Sequence, residues 1–331
     1  MNCELQDKIF AAPVADFAQL ALEIFAYQYA NNELYRSFVN AIGTDPRSVN
    51  TIGAIPFLPI SFFKSHKVMT GTFEPGVIFE SSGTTGTVNS MHFVRSIQLY
   101  RDSFIKAFEL FYGKITDWCI VGLLPSYLER QHSSLVMMVD ELIDSSLNKD
   151  SAFYLYEHDV LADLIKKNES ANQKTLLIGV TFALLDFAEI FRYPFKHTVV
   201  METGGMKGRK KEITREEVHS LLQSAWELDA IHSEYGMTEL LSQAYSHGNG
   251  LFKCPPWMQV LLREEDDPLT VKPARNIIQN GLINVIDLAN IHSCSFIATD
   301  DMGKLHPGGC FEISGRMDSS DVRGCSLLYA F

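Results

Sequence analysis

The sequence predicts an α/β fold built on mostly parallel sheets flanked by helices, and three observations carry that expectation. Apolar runs at 118–124, 174–180 and 197–201 have the length and the Val, Ile and Leu content of buried strands. Segments with apolar residues at helical spacing lie among them, at 132–147, 158–168 and about 182–191. Two of the runs stop at turn-forming residues, Pro125-Ser126-Tyr127 and Glu202-Thr203-Gly204-Gly205. Strands alternating with helices of this length need crossover connections, which make neighbouring strands parallel.

The chain then reads in order. Residues 15–40 carry Phe17, Leu20, Ala21, Ile24, Phe25, Tyr27 and Phe38 at helical spacing, giving one or two amphipathic helices whose aromatics pack in the core. Thr44-Asp45-Pro46 opens a turn. The prolines of Ile55-Pro56-Phe57-Leu58-Pro59-Ile60 keep that stretch extended. Ser61-Phe62-Phe63-Lys64 starts a short helix, 96–112 forms a longer one, and Tyr154-Leu155-Tyr156 forms a short strand. From about 250 the segments shorten and turns multiply, with strands at 258–262 and 282–288. The expected division is a helical segment 1–45, an α/β body 46–250 and a strand-rich subdomain 251–331.

Composition excludes several classes. The 331 residues are 46% apolar and 21% charged, enough for a sizeable core. A formal charge of −12 argues against general binding to nucleic acid or anionic membranes, while leaving room for a local basic patch. No apolar run reaches about eighteen residues, so no integral membrane segment is expected. The start lacks the order of a secretion signal. Cysteines at 3, 119, 254, 294, 310 and 325 form no CxxC, which points to reduced thiols in a cytoplasmic protein. There is no GxGxxG after the first strand and no GxSxG, so a Rossmann dehydrogenase and a serine hydrolase are not expected.

The chemistry concentrates in a few stretches. Ser81-Ser82-Gly83-Thr84-Thr85-Gly86 follows the apolar pair Val77-Ile78. Glycines let the backbone approach a ligand, and successive N–H groups with hydroxyls make an anion cradle. An ordinary strand-to-loop turn has the same composition. Downstream stand Glu234-Tyr235-Gly236-Met237-Thr238-Glu239, then Ala298-Thr299-Asp300-Asp301-Met302-Gly303 with a carboxylate expected at a strand end, then Gly315-Arg316-Met317-Asp318. Glu239 alone reads equally as a solvated carboxylate, and Asp301 as a turn residue that Asp300 can replace. Lys207-Gly208-Arg209-Lys210-Lys211 reads as a solvated loop or as a contact for phosphates or an acidic partner.

Together, in this order, the stretches resemble the nucleotide-binding motifs of the adenylate-forming superfamily. With Leu124-Pro125-Ser126-Tyr127-Leu128-Glu129, Glu202-Thr203-Gly204-Gly205, Asn284-Val285-Ile286-Asp287-Leu288-Ala289-Asn290 and Arg323-Gly324-Cys325, the chain is most similar to the LuxE/PaaK type from about residue 50 onward. These are acyl-protein synthetases of bacterial fatty-acid reductase complexes and phenylacetate–CoA ligases. The resemblance implies ATP and Mg²⁺ as cofactors and a carboxylic acid activated as its acyl-adenylate. It implies that Ser81, Ser82, Gly83, Thr84, Thr85 and Gly86 hold the triphosphate, and that Gly204 and Gly205 lie against adenine with Tyr235 stacked on it. Gly236 lies in the same turn. Thr238 bonds the α-phosphate and Glu239 binds the metal. Asp301 accepts from the ribose, and Arg316 donates to ribose or phosphate. Cys325 carries the acyl group as a thioester, with Arg323 two residues away to favour its thiolate. Nine residues from Arg316 to Cys325 span at most roughly 30 Å, so the reach is sufficient. Tyr127 and His132 line the acyl pocket, His132 reading also as a packed or surface histidine.

Two departures qualify the expectation. Thr87-Val88-Asn89-Ser90 follows the Gly-rich loop where many relatives have a lysine. The chain is also expected to lack the mobile C-terminal lid domain of full-length ligases. The expected function is therefore an acyl-protein synthetase that passes a fatty acyl group from Cys325 to a LuxC-like acyl-CoA reductase partner. An acyl- or aryl-CoA ligase and a non-catalytic nucleotide- or acyl-binding subunit remain as alternatives.

Overall fold

The computed structural model describes residues 2–11, 14–81, 88–124, 132–204, 214–273 and 275–317. Strand β1 is Leu58–Pro59; β2 (Val77–Glu80) and β3 (Met91–Val94) pair antiparallel as a separate ribbon. The parallel strands follow: β4 Cys119–Leu123, β5 Ala152–Phe153, β6 Thr175–Val180, β7 Thr198–Thr203 and β8 His232–Tyr235. They align in the order β5-β4-β6-β7-β8. Every residue of β4 and β6 is buried, which explains their unbroken apolar runs: helices cover both faces of a parallel sheet.

Strands β9 (Ala244–Ser246), β10 (Phe252–Lys253), β11 (Met258–Arg263), β12 (Gln279–Asp287), β13 (Phe296–Leu305) and β14 (Phe311–Arg316) make the antiparallel half. The two halves join through the antiparallel β8–β9 pair, so the order continues β8-β9-β10-β14-β13-β12-β11. Strand β1 adds to β13 in parallel.

Several helices begin where a side chain satisfies the free N–H groups. Ser96 accepts from Leu99 ahead of helix Ile97–Tyr112, and Thr214 forms a capping box with Glu217 ahead of Arg215–Trp226. The N-terminal aromatics resolve into two helices, Phe17–Asn31 and Glu33–Ala41, because Asn32 leaves the helical region and caps the second. Its Nδ2 also donates to the Ser293 carbonyl, which ties these helices to the segment after β12.

Two expectations are corrected. The short strand expected at Tyr154-Leu155-Tyr156 lies earlier, at Ala152–Phe153, with Tyr154 N–H adding one bond to Gly122 O. Asp301 is inside the ten-residue β13 rather than at a strand end. Asp300-Asp301-Met302-Gly303 has turn composition, but Gly303 serves close strand approach: a Cβ there would stand 2.2 Å from Glu312 O.

Candidate active site

The described site residues gather beyond the carboxyl end of β8. Tyr235 ends that strand, buried against Phe252 and Phe311. Its hydroxyl donates to Asp301 Oδ2 at 2.8 Å. Asp301 Oδ1 faces Arg316 Nε at 3.4 Å, the cross-strand partner on β14. Asp301 is buried, whereas Asp300 is only partly so. Burial raises the Asp301 carboxyl above its ordinary range, opposed by the Tyr235 hydrogen bond and the Arg316 charge. The Arg316 side chain is 62% exposed, a cation at the rim.

Glu239 is 5% exposed and also raised by burial, against the Ser90 hydroxyl bond and the Arg316 and Lys64 charges. Ser90 belongs to the base of the Gly-rich stretch. Ser81 N–H donates to Ser90 O at 3.0 Å, and Ser90 N–H donates to the Ser81 hydroxyl at 2.9 Å. Glu80 N–H donates to His132 O at 2.9 Å, which brings the His132 backbone to the same edge, its side chain exposed. Gly204, at φ +74°, follows β7 beside β8, and its carbonyl accepts from the Thr181 hydroxyl at 2.7 Å. The structure therefore brings together Ser81, Gly204, Tyr235, Gly236, Thr238, Glu239, Asp301, Arg316 and the His132 backbone. Ser82, Gly83, Thr84, Thr85, Gly86, Tyr127, Gly205 and Cys325 lie outside the described residues, as does Lys207–Lys211.

Several contributors carry no role in the sequence reading. Thr203 donates to Glu234 at 2.6 Å, and burial, aided by Glu202, pushes the Glu234 carboxyl up to about 7. Asp287 accepts from Leu241 N, Ser242 N, the Ser242 hydroxyl and Ala289 N. Burial pushes it up to about 6 while those donors pull down. Arg263, buried, donates to Ile283 O, Asn284 Oδ1 and Thr299 O, bracing the strand that bears Asp301. Asn284 and Asp287 stand in a run visible in the sequence as a motif. Glu234 likewise opens a stretch singled out in the sequence, but its role does not show there, and Arg263 carries no such signal, because their partners come from other strands.

Among the described residues, no three His, Cys, Asp or Glu side chains group closely enough to hold a metal ion by themselves. Glu239 beside the Ser90 hydroxyl suits a hard cation that takes most of its oxygens from phosphate and water, the usual manner for Mg²⁺. No helix of the described residues is long and apolar enough to cross a membrane.

Among known families the chain matches "Acyl-protein synthetase, LuxE" over residues 6–330. The chain belongs to the LuxE acyl-protein synthetase family. This LuxE-family chain is 25% identical over 366 residues to a long-chain-fatty-acid–luciferin-component ligase of Aliivibrio fischeri, covering 99% of the chain and 94% of the relative. It is also 25% identical to the same-named protein of Vibrio harveyi, over 94% and 86%. The LuxE-family chain has the fold of 2-hydroxyisobutyryl-CoA ligase, solved in the postadenylation state. There the TM-score is 0.65 at 10% identity, covering 94% of this chain and 70% of that one. With ATP-bound MatB from Rhodopseudomonas palustris the TM-score is 0.54 at 17% identity over 74% of this chain, which spans only 49% of that one.

Proposed function

We propose that this chain activates a long-chain fatty acid with ATP and carries the acyl group on Cys325 for delivery to an acyl reductase. The observation that carries the reading is the convergence on one rim of Tyr235 and Glu239, from β8 and the turn after it, with Asp301 and Arg316, from the paired strands β13 and β14 far along the chain. Family membership and the names of the two bacterial relatives support a fatty acid as substrate.

The residues divide the work. Asp301 accepts from the ribose hydroxyls, using the second lone pair of oxygens already held by Tyr235 and Arg316. Thr238 donates to the α-phosphate, and the hydroxyls and N–H groups from Ser81 to Gly86 hold the outer phosphates. Glu239 holds Mg²⁺, which neutralises phosphate charge that otherwise repels the carboxylate. The carboxylate oxygen attacks the α-phosphorus and pyrophosphate leaves. The Cys325 thiolate then attacks the acyl carbon, forming a thioester and releasing AMP. A LuxC-like acyl-CoA reductase accepts the acyl group, in the cytoplasm.

Incubation with labelled palmitate, ATP and Mg²⁺, followed by mass measurement of the denatured protein, tests this. The expected product is a hydroxylamine-labile adduct at Cys325. ATP-dependent acyl-CoA without an adduct overturns the acyl-protein step in favour of an external thiol. ATP binding without pyrophosphate release overturns catalysis altogether.

A further inference from the structure

The turn that bears Thr238 and Glu239 has no regular secondary structure to fix it, yet both carbonyls are held by buried side chains from elsewhere in the chain. His92 Nδ1 lies 2.9 Å from Thr238 O. Asn290 Nδ2 donates to Glu239 O at 2.7 Å. His92 comes from β3 and Asn290 from the turn after β12, and both are essentially inaccessible to solvent.

The ring chemistry is determined by its neighbours. A carbonyl only accepts, so His92 carries its proton on Nδ1, and Nε2 takes the Ser293 hydroxyl at 2.9 Å. Burial lowers His92 to about 4, so it stays neutral and this arrangement persists at neutral pH. Ser293 lies three residues past Asn290, so one turn supplies both supports. That turn is itself anchored by Gln28, whose Nε2 donates to Asn290 O and Ile291 O at 3.0 and 3.1 Å.

Asn290 shows what the arrangement is for. Its Nδ2 serves Glu239 O and Cys294 O, but its Oδ1 is buried with no hydrogen-bond partner among the described residues. A buried acceptor left without a partner destabilises the fold, which an apolar side chain of the same shape avoids. The amide is therefore kept for its donors.

We propose that His92 and Asn290 are positioning residues that fix the Thr238–Glu239 turn for Mg²⁺-dependent nucleotide binding. This rests on the proposed function, since it takes Glu239 as the metal-holding carboxylate. Neither side chain touches nucleotide or metal; each acts through the backbone carbonyl of a residue that does, His92 through Thr238 and Asn290 through Glu239.

Calorimetric titration of the full chain with ATP, once in MgCl2 and once in EDTA, tests the proposal. The readout is the gain in affinity that Mg²⁺ confers. Asn290→Leu and His92→Phe are expected to shrink that gain about tenfold. ATP affinity in EDTA is expected to fall by less, since there only the Thr238 contact is disturbed while Tyr235 and Asp301 are untouched. His92→Gln, which keeps an amide donor, is expected to restore most of it. Thermal melting accompanies each variant. An undiminished gain in His92→Phe or Asn290→Leu overturns the proposal. So does equal weakening in MgCl2 and EDTA, since that is loss of structure alone. A wild-type protein whose ATP affinity ignores Mg²⁺ overturns the role of Glu239, and the positioning role with it.

Discussion

Tyr235 and Asp301 are joined by a 2.8 Å hydrogen bond although four strand-to-strand steps separate β8 from β13 in the sheet. In a flat sheet, spacings of about 4.8 Å would hold those strands roughly 20 Å apart. The sheet therefore curls between its parallel and antiparallel halves, and Phe252 and Phe311 fill the inside of the curl against the Tyr235 ring. The curl brings a carboxylate and a guanidinium from the last strands to the end of the parallel ones.

Asp301→Asn keeps the shape and removes the charge that faces Arg316. ATP affinity is expected to fall about tenfold, the scale of one charged hydrogen bond, while the melting temperature moves little. Isothermal titration checks this. An unchanged affinity places the ribose elsewhere.

Gly303→Ala tests the register that sets Asp301 opposite Arg316. The added Cβ would stand 2.2 Å from the Glu312 carbonyl and 2.8 Å from Ile283 Cδ1. Backbone cannot rotate aside as a side chain does, so the strands must separate. A loss of about 3 kcal/mol is expected in urea unfolding. A loss below about 0.5 kcal/mol would show that the pairing tolerates a side chain there.

The parallel half of the sheet was legible because strands buried on both faces must be largely apolar, as 176–180 is. The site was partly legible for a different reason. Tyr235, Glu239, Asp301 and Arg316 sit in short motifs whose spacing survives the folding of everything between them. His92 and Asn290 were not legible in that way. Each earns its place through a carbonyl supplied by a residue far away in the chain, and carbonyls leave no trace in a sequence. Asp301 looked like a turn residue because Gly303 follows it, and the composition of a turn and of a close strand crossing is the same.

Glu234 gives the fold a pH dependence of definite sign. Its carboxyl lies near 7 in the folded protein against 4.5 ordinarily, mainly through burial. The folded state thus holds the proton more tightly. The resulting stabilisation is complete below about pH 4.5 and is lost as pH rises through 7. Glu234→Gln keeps a neutral side chain at every pH. Urea unfolding at pH 5 and pH 8 is expected to show the wild type losing on the order of 2 kcal/mol more than this variant over that range. Parallel losses in the two proteins would mean that Glu234 is ionised throughout.

Cys325→Ser separates the two half-reactions of the proposed cycle. Adenylation uses the nucleotide rim and the carboxylic acid, so pyrophosphate exchange into ATP, dependent on the fatty acid, is expected to continue within about twofold of wild type. Thioester formation needs a thiolate. A serine hydroxyl ionises far less readily at neutral pH and has no base assigned to it, so the labelled adduct is expected to vanish. The fatty acyl-adenylate then has no acceptor on the protein, and a burst of pyrophosphate release in place of sustained turnover is expected when the reductase is supplied. An adduct that persists in Cys325→Ser would move the acyl group to another residue, with the four described thiols at Cys119, Cys254, Cys294 and Cys310 next to be replaced. Cys119 and Cys294 are buried, and burial raises the thiol of Cys254 as well as theirs, which leaves Cys310 as the first to test.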